Sequence, residues 1–165
     1  MKKILLGLMA AFLFIGCSSQ AVDENVKPAL VVGQTLTLNL KDQNEKAVAV
    51  PSTTKTVIFA LSKDGAHICN DYFVTKAPTY LADNNSLFVA DVSAAPSLIR
   101  SMFIMPGLKE FKHTVLILDD EAVAAPYRAK VDTEKIIVVS TDNGKITNVK
   151  MITSEKELIA EIEAK

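Results

Sequence analysis

The side chains able to carry nucleophilic, redox or metal chemistry in this 165-residue sequence are few: Cys17 and Cys69, His67 and His113, and carboxylates that fall together at Asp119-Asp120 and, further apart, Asp83 with Asp91. A thiol works as a nucleophile only as its thiolate, which requires partial exposure and a helix N-terminus or a cation beside it. Cys69 is the candidate catalytic residue. Two readings of it stand side by side: a small buried hydrophobe on a helix, or a thiolate that attacks a peroxide or a mixed disulfide and needs an external thiol to resolve it. His67 lies two positions before it and would point elsewhere on a helix. No Cys-x-x-Cys occurs, so dithiol exchange within one chain is excluded. Two scattered histidines make no zinc site of ordinary spacing and are expected at the surface. The acidic residues sit where strands end, the usual place for carboxylates that mark loops, and no spaced oxygen-ligand loop for calcium is present. With neither a Gly-rich phosphate loop nor a Gly-x-Ser-x-Gly elbow, no metal and no cofactor is expected.

Composition narrows the partners. Lys and Arg number 18 against 19 Asp and Glu, and no long run of either sign occurs, which disfavours nucleic acid. Trp is absent and aromatics make up 6%, leaving little material for stacking platforms that hold sugars or single strands.

The N-terminus reads as an address. Lys2 and Lys3 form a positive n-region and Ile4 to Ile15 an apolar run of about a dozen residues, too short to span a bilayer. Its end, Phe14-Ile15-Gly16-Cys17, resembles the lipobox of bacterial lipoproteins: a large apolar residue, a less constrained one, a small one, then the Cys that is acylated. The resemblance implies a signal peptide over 1–16 and lipidation of Cys17 with diacylglyceryl and a further acyl (palmitate-type) chain. Two acyl signals already anchor stably, and three hold the chain to the membrane. Ser18, in place of the Asp that often retains such proteins at the inner membrane, favours the periplasmic face of the outer membrane. Residues 17–32 lack apolar periodicity and read as the lipidated Cys and a flexible tether. One domain is expected over 33–165.

Within it, Leu36, Leu38 and Leu40 alternate with polar residues, and Asp42-Gln43-Asn44-Glu45 turns the chain into an N-terminal hairpin. Thr56–Leu61, Ser86–Val92 and Thr114–Leu118 are near-continuous apolar runs of strand length, as in central strands covered on both faces. Ser62-Lys63-Asp64-Gly65 ends the first of them. Between the runs lie a helix over Ala66–Leu81, ended or kinked by Pro78, and one opening at Pro96 or Ser97. The second is expected to turn Leu98, Ile99, Met102 and Phe103 to the core and to stop at Pro106-Gly107. Lys135–Ser140 and Lys145–Ile152 form a hairpin across Asp142-Asn143-Gly144. Ser154-Glu155-Lys156-Glu157 is a capping box for a last helix that buries Leu158, Ile159 and Ile162.

Alternating strands and helices followed by a hairpin require an α/β mixed sheet. The order resembles the thioredoxin-like superfamily, in its peroxiredoxin and redoxin branch. Its echoes are Gly33 with Leu36-Thr37-Leu38-Asn39-Leu40-Lys41-Asp42-Gln43-Asn44, and Val138-Val139-Ser140-Thr141-Asp142-Asn143-Gly144-Lys145-Ile146. The resemblance implies a thioredoxin-like mixed sheet flanked by helices, and a catalytic cysteine delivered by the first core strand to the start of the next helix. Cys69 falls close to that point. Yet the family's preceding Pro and Thr are absent around it, Asp132-Thr133-Glu134 stands where thioredoxins place a Pro, and Lys135 and Arg128 match no family arginine. Once lipid consumes Cys17, Cys69 is the one free thiol. The sequence therefore points to a lipid-anchored periplasmic thioredoxin-like domain that has lost the redox motif and serves as a binding or structural module. Its partners would be the membrane, through the lipid on Cys17, and an envelope protein. The alternative is a divergent one-cysteine thiol peroxidase or thiol-disulfide reductase using Cys69.

Overall fold

The computed structural model describes residues 25–163; the signal segment 1–16 and Cys17 lie outside them. Six strands form one sheet: β1 (Lys41–Asp42), β2 (Thr56–Ala60), β3 (Ser86–Asp91), β4 (Val115–Leu118), β5 (Ile136–Asp142) and β6 (Lys145–Ile152). Their order across the sheet is β1-β4-β3-β2-β5-β6. β2, β3 and β4 run parallel, while β1, β5 and β6 pair antiparallel to their neighbours. All five residues of β2 and all four of β4 are buried, because layers cover both faces of the sheet.

The alternation of side chains divides the core in two. Ile58, Ala60, Phe88 and Val138 face a layer made by α1 (Lys63–Phe73), α2 (Tyr80–Asp83) and the terminal helix α6 (Glu155–Glu163). Val57, Phe59, Val89 and Val139 face the N-terminal segment and α5 (Glu121–Arg128). The right-handed rule for crossovers accounts for this division. Steps from β2 to β3 and from β3 to β4 move the same way across the sheet, so both connections cover one face. The return from β4 to β5 passes over the other face and carries α5 there.

The N-terminal hairpin is present, but as a narrow one. Leu36, Leu38 and Leu40 are buried on one face as their alternation predicts, while the hairpin's own bridge is the single pair Lys41 with Ala47; Lys41–Asp42 pairs with β4, and Thr35 bridges Lys145 of β6. Asp42 Oδ1 accepts from the backbone N–H of Asn44 and Lys46 and fixes the turn. Beyond β1 the buried Gln43 extends the ladder with its side chain: its amide donates to the His113 carbonyl at 2.7 Å and accepts from Val115 N–H at 2.9 Å. The stretch read as tether is already docked at its end, where Leu30 is buried and Ala29 N–H donates to the Pro126 carbonyl of α5 at 2.9 Å.

Three sequence readings need correction. Ser62-Lys63-Asp64-Gly65 does more than end β2; it starts α1, three residues ahead of the expected Ala66, with Ser62 as N-cap accepting from Gly65 N–H at 3.2 Å. The helix stops at Phe73, and Tyr80–Asp83 forms a separate short helix, α2, beyond Pro78. Second, Pro106-Gly107 does not stop the helix before it. α3 (Ser97–Ile99) runs through a π-helical turn, Arg100–Ile104, into α4 (Met105–Glu110), and Pro106 follows directly on the π-helical turn, where the regular i→i−4 ladder is already interrupted. The stripe expected to face the core does not do so: Leu98, Met102 and Phe103 point outward, 64, 58 and 66% exposed, and Ile99, 44% exposed, stands at the edge of a surface crevice. It is Ile104, Met105 and Leu108 that pack inward. Third, His113 is not at the surface. It is buried, its Nε2 2.8 Å from the Phe73 carbonyl and its ring against Phe73 and Phe111.

A crevice at the carboxyl ends of the parallel strands

Open parallel sheets leave a crevice outside the carboxyl ends of their strands. Here it has a volume of about 780 Å³. Its floor is Leu61 after β2 and Ala90 to Val92 at the end of β3; one wall is the first two turns of α1, from Lys63 to Asn70, and the other is Ile99, Ile104, Leu108 and Phe111. Arg128, at the end of α5, closes the back. Apolar side chains dominate the walls, and the polar groups gather at the helix start and the back, the distribution of a site that holds an apolar body by burial and orients it by a few contacts.

The back is a built polar cluster. Asp91 is 1% exposed, and Arg128 Nε donates to its Oδ2 at 2.6 Å. Arg128 Nη2 donates to Ser93 Oγ at 2.7 Å, while Ser93 donates both its hydroxyl, at 2.8 Å, and its backbone N–H, at 2.9 Å, to Asp91 Oδ1. A buried carboxylate is tolerated because both oxygens are occupied and a guanidinium offsets its charge. Alongside it, Arg100 Nη1 donates to the Asp119 carbonyl at 2.7 Å and reaches the Val92 and Ser93 carbonyls at 3.4 Å, covering backbone acceptors that strands β3 and β4 leave open at their ends. Of the carboxylates noted in the sequence, Asp120 N-caps α5 by accepting from Ala122 and Val123 N–H, and Asp83 lies on α2, away from the crevice lining.

The start of α1 is where the resemblance noted in the sequence would place a catalytic cysteine. That place is held by Ser62, whose hydroxyl caps the helix and lies 3.5 Å from the Glu134 carbonyl, just ahead of β5. One turn on stands Gly65. Cys69, the candidate from the sequence, is on the second turn of α1 and faces the sheet: it is 0% exposed, among Ile58, Tyr72, Phe73 and other residues of the core. Burial without a compensating charge pushes its thiol up to about 12. His67, two residues before it, is exposed at the crevice rim. Lys135 is paired with Asp132 at 3.3 Å on the surface, and Arg128 with Asp91, so neither cation is placed on Cys69. Among the described residues no group of three His, Cys, Asp or Glu side chains could hold a metal ion.

Sequence reasoning missed Ser62 as a helix start and the Asp91–Ser93–Arg128 cluster. For the first a signal existed, Ser followed by an acidic residue in the first turn. For the second none did, since the partners lie 35 and 37 positions apart.

No protein-family model matches the chain, and no curated protein matches it in sequence. Solved structures do. A Neisseria meningitidis protein assigned as a thioredoxin superposes with a TM-score of 0.54 at 18% identity, over 81% of this chain and 90% of that one. A Chlorobium tepidum protein assigned as the thiol:disulfide interchange protein DsbE gives 0.52 at 17% identity, over 82% and 97%. A peroxiredoxin-like protein from Aquifex aeolicus gives 0.50 at 13% identity, over 84% and 90%. The chain has a thioredoxin-like fold: a mixed six-stranded sheet flanked by helices.

Proposed function

We propose that this chain is a lipid-anchored binding module of a bacterial envelope, tethered through Cys17 at the periplasmic face of the outer membrane, and that its thioredoxin-like domain performs no thiol chemistry. On this reading the crevice takes an apolar segment of an envelope protein. The observation that carries it is the occupancy of the helix start: Ser62 stands at the N-cap of α1 with its hydroxyl engaged, while Cys69 lies two turns further on, wholly buried. A thiolate that attacks peroxide or a disulfide needs access and stabilisation, and Cys69 has neither. The apolar walls and the neutralised Asp91–Arg128 pair at the back suit burial of an uncharged segment.

The test uses the full chain with Cys17→Ser, so that Cys69 is the sole thiol. Alkylation is followed against pH, and the protein is assayed for peroxide consumption and disulfide reduction. Alkylation that is slow when folded and fast in denaturant, with no turnover, is the expected result. Rapid alkylation with a midpoint below the ordinary thiol range, together with turnover lost in Cys69→Ala, would install the one-cysteine peroxidase or reductase in its place.

A further inference from the structure

Away from the crevice, the layer formed by α1, α2 and α6 brings two phenols together. Tyr72, buried near the end of α1, and Tyr80, the first residue of α2, have their hydroxyl oxygens 2.7 Å apart. Their rings meet edge to face with centroids 5.9 Å apart. Tyr80 donates to Glu163 Oε1 of α6 at 3.1 Å, and the same oxygen lies 3.4 Å from the Tyr72 hydroxyl. The Lys76 ammonium sits over both rings, 4.4 Å from the Tyr72 centroid and 5.3 Å from that of Tyr80. Neither tyrosine lines the crevice, so this cluster stands apart from the binding site.

We propose that Tyr72 and Tyr80 are an oxidative modification site, at which a one-electron oxidant, a small radical or a ferryl haem, joins the two rings as dityrosine. Each phenol gives one electron to the oxidant and one proton to its surroundings, leaving a phenoxyl radical whose unpaired electron resides partly on the ring carbons beside the oxygen. The two radicals couple through a Cε–Cε bond. The hydrogens on those carbons then leave as protons while both oxygens are reprotonated, so two electrons and two protons are lost in all.

The geometry suits this step in three ways. Because the hydroxyls touch, the reacting carbons of both rings lie at one junction; Tyr127, the third tyrosine of the chain, donates to the Thr37 carbonyl and stacks on Phe59 with no second phenol beside it. The proton has somewhere to go. Burial, with the hydrogen bonds to Tyr72 and Glu163, holds the Tyr80 phenol well above its usual range, so it is oxidised as the neutral phenol. The Lys76 cation disfavours positive charge on either ring, so electron and proton must leave together, and the exposed Glu163 carboxylate accepts the proton. Last, few other groups compete. The chain has no Trp and its Cys69 thiol is wholly buried, whereas Tyr80 is partly exposed and gives the oxidant a point of entry.

The full chain, diluted so that collisions between molecules are rare, is exposed to tris(bipyridine)ruthenium(III) generated with light and persulfate. It is followed by intact mass, dityrosine emission and peptide mapping. Trypsin cuts after Lys76, between the two tyrosines, so the cross-link reads as two peptides joined. The expected result is a monomeric product lighter by two hydrogen atoms, with the Tyr72 and Tyr80 peptides joined. The link should be lost in Tyr80→Phe, retained in Tyr127→Phe and formed more slowly in Glu163→Gln. Oxidised wild type without a Tyr72–Tyr80 link, or with dityrosine only through Tyr127 or only between molecules, would overturn the inference. An unchanged rate in Glu163→Gln would overturn the part given to the carboxylate.

Discussion

Arg128 donates its Nε–H to Asp91 Oδ2 at 2.6 Å, joining the end of α5 on one face of the sheet to the end of β3 at the crevice. The pair is asymmetric. Asp91 is almost fully buried and Arg128 is partly in solvent, so the carboxylate is the partner that cannot be left alone.

Removing Arg128 should therefore cost more than an exposed ion pair would. Arg128→Met is expected to destabilise the domain by about 3–5 kcal/mol in urea denaturation, the range for orphaning a buried charge. Arg128→Lys should recover only part of it, because one ammonium cannot reach both Asp91 and Ser93 as the guanidinium fork does. A loss under 1 kcal/mol for Arg128→Met would show that Asp91 finds water instead.

Cys69 gives the protein a pH dependence on the alkaline side. Its thiol is raised from 9.0 to about 12 by burial, so the folded state holds the proton more tightly than the unfolded state. The sign follows from linkage: this contribution is fully present below pH 9 and is lost as pH rises from about 9 towards 12, at up to about 1.4 kcal/mol per pH unit. Urea midpoints of the wild type and Cys69→Ala, compared across that window, should converge as pH rises. Parallel curves would contradict the burial of the thiol.

The outward stripe and the inward core make opposite predictions on helices of similar composition. Leu98→Asp, at a residue 64% exposed, should change stability by no more than about 0.5 kcal/mol. Leu158→Ala, at a fully buried residue of α6, should cost about 2–5 kcal/mol. If Leu98→Asp proved the more damaging in the non-acylated protein, the orientation of the segment would be wrong.

The turn between β5 and β6 places Asn143 at φ 48° and Gly144 at φ 76°, left-handed at both central positions as a two-residue hairpin of this hand requires. No atom crowds a Cβ at Gly144, so the cost of Gly144→Ala is conformational alone, about 1–2 kcal/mol by thermal or urea unfolding.

That turn was legible in the sequence because its chemistry is local: Asn-Gly between two apolar runs has few other structures. The same holds for Ser154, whose hydroxyl accepts from Glu157 N–H while the Glu157 carboxylate reaches back to Thr153 N–H. The buried strands β2, β3 and β4 were readable from apolar runs alone. Where the answer depended on which side the core lay, sequence reasoning failed. Leu98, Ile99, Met102 and Phe103 have the period of a buried stripe, and a period carries no direction. The π-helical turn then moves Ile104, Met105 and Leu108 onto the inner side, an offset invisible in the residue types. The His113 ring is buried against Phe73 and Phe111, and its backbone carbonyl accepts from the side chain of Gln43, 70 positions away, which no local pattern announces. A crevice at the carboxyl ends of the strands follows from the fold by analogy, but its lining, drawn from four separate stretches of the chain, was equally out of reach.

Ser62 and Gly65 stand three positions apart at the opening of α1, the spacing of a Cys-x-x-Cys pair, and a Cβ at Gly65 would meet Ser62 Oγ at 3.4 Å and Ile136 Cγ1 at 3.5 Å, ordinary contacts that need no backbone movement. Two codons thus separate this chain from one bearing a dithiol at the mouth of its crevice. Ser62→Cys with Gly65→Cys would therefore set two thiols at the opening of α1 with no backbone clash at either Cβ, giving the crevice mouth a redox-active pair it does not now carry.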